Sequence, residues 1–148
     1  MSQIGQYPNA FYRVSVKAVI RNDRGEVLLV KEKNNASWNL PGGGMDHGES
    51  PHDALKRELY EEVGYRGDFT MKPIGIEPVY VMAHDACMLW VVYEVNCGSN
   101  NFAAGPEADE ISFIDTTTFA ESDNRAEQLI YKFTVDNSYV PLDLFSKY

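Results

Sequence analysis

Glu49, Glu58, Glu61 and Glu62, with Arg57 among them and glycines at 43, 48 and 64, stand at set spacings within Gly43-Gly44-Met45-Asp46-His47-Gly48-Glu49 and Arg57-Glu58-Leu59-Tyr60-Glu61-Glu62-Val63-Gly64. Like charges at i and i+4 destabilise a helix by roughly 0.2–0.5 kcal/mol per pair, so adjacent glutamates without a partner are an unfavourable choice. A positive group should therefore lie beside them. Oxygen-only ligands select a hard cation, and Mg2+ typically binds through a few carboxylates while keeping positions for water and phosphate oxygens. The expected metal is Mg2+, with Mn2+ as a substitute. The opposing reading is a solvated acidic face on which Arg57 makes surface ion pairs.

The spacing acquires meaning once these residues are placed on elements. Ser50 is a good N-cap, Pro51 suits the first helical position, and Asp53 meets the positive end of the helix dipole. Ala54, Leu55, Leu59 and Val63 form an apolar stripe, and Gly64 supplies the left-handed residue that commonly closes a helix. The pattern predicts a helix over Pro51–Val63. At ~100° per residue, Glu58, Glu61 and Glu62 fall on one strip beside the apolar stripe. Glycines 42, 43 and 44, directly before that helix, allow the backbone to bend and to approach a metal or phosphate closely.

The stretch from Gly43 to Tyr65 resembles the signature box of the Nudix hydrolases. That box reads glycine, five residues, glutamate, seven residues, Arg-Glu, an aliphatic, one residue, Glu-Glu, one residue, glycine, then an aliphatic. Tyr65 replaces the last aliphatic, and Trp38-Asn39-Leu40-Pro41-Gly42-Gly43 is similar to the lead-in that many members carry. The resemblance covers about a sixth of the chain and implies an α/β fold, an α/β/α sandwich with a mixed β-sheet between helices.

It also implies a reaction: hydrolysis of the diphosphate linkage of a small nucleotide or nucleoside diphosphate derivative, by water attack on phosphorus with Mg2+. Carried over by position, Glu58 and Glu62 would be the principal metal ligands, Glu61 a further or water-mediated one, and the Gly42 carbonyl a backbone ligand. Arg57 would orient the glutamates, and Glu49 would brace Arg57 or the loop, with Gly43 supporting the site. Family members often use a glutamate from a later loop as base or extra ligand. Among Glu107, Asp109 and Glu110, Glu110 is favoured here because it adjoins the apolar Ile111–Ile114 strand; alternatively a box glutamate is itself the base.

Around this centre the chain reads as alternating elements. Val14, Val16, Ala18 and Ile20 alternate with Arg13, Ser15, Lys17 and Arg21, which indicates a half-buried strand. Asn22-Asp23-Arg24-Gly25 reads as a turn, and Glu26–Lys31 as a second strand paired with the first in a hairpin. Phe69–Val81 and Ala86–Val95 read as strands, and Pro73 and Pro78 favour a sheet edge or bulge. Ala126, Leu129, Ile130 and Phe133 predict a helix from about Asp123 to Val135 on the other sheet face.

With 148 residues and 44% hydrophobic content, one core is expected, in a single domain over residues 1–148. Met1–Ala10 reads as a disordered start, and Tyr139–Phe145 as a segment that packs on its own domain or on a second subunit, consistent with the homodimers common in the family. No stretch approaches the roughly 20 apolar residues of a membrane span, and the first residues lack the pattern of a secretion signal. Cys87 and Cys97 suggest neither a disulfide framework nor a zinc site. The cytoplasm, with no membrane association, is the expected location.

A net charge of −9 argues against a nucleic acid polymer as the main partner, because such binding usually needs a basic surface. A small anionic nucleotide would instead meet metal and a local basic patch, for which Arg13, Lys17, Lys31 and Lys33 are candidates. Trp38, Tyr80, Trp90 and Phe102 could stack on a base. Two further readings share the fold: a catalytically silent nucleotide-binding module, which would have no need of all three helix glutamates, and an isomerase or RNA-cap hydrolase.

Overall fold

The computed structural model describes residues 11–81 and 85–136. In chain order it contains β1 (Arg13–Val19), β2 (Val27–Glu32), β3 (Gly42–Gly44), α1 (Pro51–Val63), β4 (Phe69–Val81), β5 (Ala86–Cys97), β6 (Ala108–Ile114), a short 3-10 turn (Thr116–Phe119) and α2 (Arg125–Thr134). The expectations for Met1–Ala10 and Tyr139–Phe145 lie outside the described residues.

Alternation along β1 sorts the core into two layers. Val16, Ala18 and Ile20 project to one face, where they pack with Ala54, Leu55, Leu59 and Val63 of α1. Val19 projects to the other, where Val27, Leu29, Val79, Trp90 and Val92 pack with Leu129, Ile130 and Phe133 of α2. The result is a helix, sheet, helix sandwich. Leu55 and Leu59 are wholly buried, so truncating either to alanine should cost on the order of 2–5 kcal/mol.

The main sheet is mixed, in the order β3-β1-β5-β4; β1 runs parallel to β5 and the other pairings are antiparallel. β4 lies at the sheet edge with a register shift between Pro73 and Gly75, a place where a residue lacking an N–H is tolerated. β2 and β6 form a separate antiparallel pair.

This corrects the predicted hairpin. A turn does join β1 to β2, with Leu28 N–H donating to the Ile20 carbonyl at 2.9 Å and a bridge between Arg21 and Val27. The strands then part, because both edges of β1 are already taken by β3 and β5, and β2 must find its partner in β6. The glycine run, which allows the backbone to bend, is itself a strand against β1, with Gly44 opposite Ser15 and Gly42 opposite Lys17.

α1 begins and ends where its caps dictate. The Ser50 hydroxyl accepts from Asp53 N–H at 3.1 Å, and Gly64 adopts φ 63°, a conformation that costs a residue with a Cβ roughly 1 kcal/mol or more. α2 is shorter than predicted by about two residues at its start, since Asn124 caps it through the amides of Ala126 and Glu127.

Candidate functional site

β3 and α1 meet at the site, and Arg57 is the hub between them. Its Nε and Nη2 donate to the two carboxylate oxygens of Glu49 at 2.8 and 2.9 Å, a bidentate fork that lysine could not reproduce. Nη2 also donates to the Gly44 carbonyl at 3.1 Å, while Nη1 donates to Glu58 at 2.8 Å and Glu61 at 3.4 Å. Glu49 additionally accepts the Asp46 amide at 2.9 Å, so one carboxylate ties the arginine to the loop before α1. The Arg57 hydrogen bonds, aided by the Asp46 amide, hold the Glu49 carboxyl down at about 2.

The helix glutamates sit in unequal surroundings. Glu58 is buried, and desolvation raises its pKa against the opposing pull of Arg57. Glu62 is only 3% exposed, and desolvation pushes its pKa up to about 8, although Lys17 and the Gly42 amide, which donates to it at 2.8 Å, both pull the other way. Gly43 leaves room for the Glu58 carboxylate: a Cβ at position 43 would strike it and force it to turn aside.

Carboxylate oxygens of Glu58, Glu61 and Glu107 lie within 4.8 Å of one another. Two of these acids come from α1. The third comes from the later loop, and it is Glu107 instead of the favoured Glu110. The last turn of a helix leaves carbonyls without intrahelical partners. Here the Glu61 carbonyl accepts the Glu107 amide at 3.0 Å and the Glu62 carbonyl accepts the Gly105 amide at 2.9 Å. The end of α1 therefore pins the loop that carries Glu107 beside its own glutamates. Glu110, on β6, pairs instead with Lys31 at 3.0 Å across the β2–β6 ladder. The sequence signal for Glu107 was Gly105-Pro106 immediately before it, a turn that lets the chain come against the helix backbone.

The acids open onto a cleft of about 430 Å3 lined by Glu32, Lys33, Gly42, Gly43, Glu58, Glu62, Pro106 and Glu107. A cleft of about 390 Å3 elsewhere, lined by Arg21, Lys72, Glu94 and Asn96 among others, has no such gathering of carboxylates. Two acids held by one arginine and a third brought in by the later loop form a donor set that fits a hard divalent cation.

Of the four basic candidates, only Lys33 lines that cleft among the described residues. Arg13 is exposed, lies against Gly44 and pairs with Asp46 at 3.7 Å. Lys31 lies over the Trp38 ring at 4.3 Å. Lys17, a basic-patch candidate on the polar face of its strand, is instead 4% exposed and donates to the Gly42 carbonyl at 3.0 Å. The aromatic candidates also divide: Trp90 is buried beneath Lys17, and Phe102 packs with Tyr65 and Phe113 on the α1 side, so neither presents a face for stacking. Tyr80 is exposed and donates to Asp85 at 2.6 Å.

An acidic helix docked on a glycine strand inside a mixed-sheet sandwich defines the class to which this fold belongs. The chain belongs to the NUDIX family: the family model for the NUDIX domain matches residues 11–133. Its curated relatives include the RNA pyrophosphohydrolase of Ruthia magnifica subsp. Calyptogena magnifica, 57% identical over 53 residues, which are 36% of this chain and 30% of that protein. The RNA pyrophosphohydrolase of Vibrio cholerae is 53% identical over 53 residues, 36% and 31% of the two chains. The chain thus spans about a third of the length of the curated relatives it matches.

Among solved structures, the MutT protein from Methanosarcina mazei Go1 superposes with a TM-score of 0.72 at 22% identity, covering 89% of this chain and 99% of that one. The E. coli dihydroneopterin triphosphate pyrophosphohydrolase gives 0.62 at 18% identity, covering 84% and 98%. These likenesses show the α/β fold. No helix among the described residues is long and apolar enough to cross a membrane.

Proposed function

We propose that this protein is a divalent-metal-dependent pyrophosphohydrolase that cleaves a phosphoric anhydride linkage of a nucleotide-class substrate by water attack on phosphorus. The observation that carries this reading is the convergence of Glu58, Glu61 and Glu107 within 4.8 Å at the mouth of the cleft. Those three carboxylates would hold Mg2+, or Mn2+ in its place. When bound, the ion supplies neutralisation of phosphate charge and a bound water of lowered pKa.

The chain's own residues do the positioning. Arg57 fixes the rotamers of Glu58 and Glu61 from one side and is itself fixed by Glu49 from the other. β3 presents a backbone free of side chains to the phosphates, and Lys33 at the cleft rim offers a cation to them. Glu58 and Glu61 are both engaged by Arg57, whereas the Glu107 carboxylate makes no hydrogen bond or ion pair among the described residues and is the one of the three free to turn toward a cation.

A second substrate reading has its own support, since the curated relatives are named RNA pyrophosphohydrolases. The net charge of −9 favours a small substrate over extended polymer contact. One experiment separates the readings: a panel of nucleoside triphosphates, dinucleoside polyphosphates, ADP-ribose, nucleotide sugars and a 5′-triphosphorylated oligoribonucleotide, assayed with Mg2+ and scored by product identity. Turnover of free nucleotides with none of the oligoribonucleotide supports the first reading, and the reverse supports the second. A chain that turns over none of them, but binds nucleotide equally well as wild type and as Glu58→Gln, would be the silent module.

A further inference from the structure

Glu32 lines the cleft, yet it stands outside the three carboxylates that converge there. Its side chain makes no hydrogen bond or ion pair among the described residues. The strand pairing shows how it reaches that position. β2 and β6 stay in register from Val27 opposite Ile114 to Lys31 opposite Glu110, but the next pair is Glu32 with Ala108, so β6 carries one residue more across that step. In an unbroken ladder Asp109 would stand opposite Glu32, and like charges directly opposite each other are destabilising. The shift puts the small, buried Ala108 there instead, and the Asp109 carboxylate accepts the Asn34 amide at 3.1 Å.

The turn beyond β2 is fixed as well. Asn34 adopts φ 62°, the Asn35 amide donates to the Glu32 carbonyl at 3.0 Å, and the Lys33 amide donates to the Glu107 carbonyl at 3.1 Å. Glu32 is thereby held beside the loop that bears Glu107. Its charge is felt inside the cleft: after desolvation, the chief cause, Glu32 is among the groups that raise the Glu62 pKa.

Charge around the cleft is lopsided. Glu32 faces it from β2, Glu58 and Glu62 from α1 and Glu107 from the later loop, against Lys33 as the one cation in the lining among the described residues. Arg57 is already engaged by Glu49, Glu58 and Glu61, and Lys17 is buried against the Gly42 and Leu40 carbonyls. A divalent ion on Glu58, Glu61 and Glu107 would offset those acids and leave Glu32 uncompensated. A free terminal phosphate ionises a second time with a pKa of about 6, so it brings close to two negative charges at neutrality, whereas a phosphate esterified on both sides lacks that ionisation. The added charge would have to enter beside a fixed carboxylate. Such a like-charge contact is a means of rejecting a competing ligand.

Resting on the metal-dependent reading above, we infer that Glu32 is a specificity-determining residue that disfavours substrates ending in a free phosphate. The preferred substrate is then a nucleoside diphosphate esterified at both ends, such as a nucleotide sugar, over a nucleoside triphosphate.

The test compares kcat/KM of the full chain, with Mg2+, on pairs that share a base: ADP-ribose with ATP, GDP-mannose with GTP, and UDP-glucose with UTP. Wild type should favour the doubly esterified member of at least one pair. In Glu32→Gln that ratio should fall by about 10-fold, chiefly through a lower KM for the triphosphate. A ratio that does not change overturns the inference. Equal losses on both members, with a higher Mg2+ requirement, would make Glu32 a metal ligand and overturn it too.

A second measurement needs the wild type alone. Raising the ionic strength screens Glu32 and should shrink the preference, and a preference indifferent to salt overturns the inference. Wild type that favours the triphosphates also overturns it, while leaving the metal-dependent reading intact. Failure to cleave any of the six compounds, or the 5′-triphosphorylated oligoribonucleotide, would overturn that reading and this inference together.

Discussion

The Glu107 amide donates to the Glu61 carbonyl at 3.0 Å, so the end of α1 serves both as a source of carboxylates and as the backbone anchor for the loop that delivers the third acid. One consequence is a contrast between two glutamates that are three residues apart. Glu107→Gln should raise the Mg2+ concentration needed for half-maximal activity and lower kcat by about 10- to 100-fold, the range typical of removing a group that tunes a metal site. Glu110→Gln loses a pair whose acid is about half exposed, and such pairs are worth roughly 0–1 kcal/mol, so activity should stay within about 2-fold. Mg2+ titrations of kcat for both variants check this, and equal losses would return Glu110 to the site.

Arg57→Lys should be more costly than a conservative change on a surface. One ammonium cannot make the bidentate pair with Glu49 and also reach Glu58, Glu61 and the Gly44 carbonyl. We expect kcat to fall by about 10-fold or more with a lowered Tm. Wild-type kinetics together with a wild-type Tm would show that Arg57 is peripheral.

The buried state of Glu62 makes a statement about pH. Its folded pKa, about 8, lies above the usual 4.5, so between those values the folded protein binds a proton that the unfolded chain has released. Stability then falls as pH rises through that window. In metal-free protein, urea unfolding should show this penalty absent below about 4.5, growing through neutrality and levelling above about 8. Glu62→Gln keeps an acceptor for the Gly42 amide and should flatten the profile. A wild-type profile that rises from pH 5 to 8 by the amount lost in the variant would contradict this account.

Gly43→Ala probes the close approach of β3 to α1. The new Cβ would meet the Glu58 carboxylate, which must turn away from its hydrogen bond with Arg57. Overpacking of this kind costs about 1–3 kcal/mol, and calorimetry should register it. The Mg2+ concentration needed for half-maximal activity should rise as well. Unchanged metal dependence would place Glu58 outside the ion's reach.

α1 was legible from end to end because its signals are local: Ser50, Pro51, the Leu55-Leu59-Val63 stripe and Gly64 act within one turn of the residues they control. The strands β4 and β5 were legible for the same reason, through alternation bounded by turn residues, and so was the gathering of Glu58, Glu61 and Glu62 on one side of a helix. Only tertiary structure decided which later glutamate joins them, that β2 leaves β1 for β6, and that Lys17 is interior. Those outcomes depend on which sheet edges are already filled and which helix carbonyls remain open, and both are set by contacts between residues far apart in the chain, where spacing carries no information.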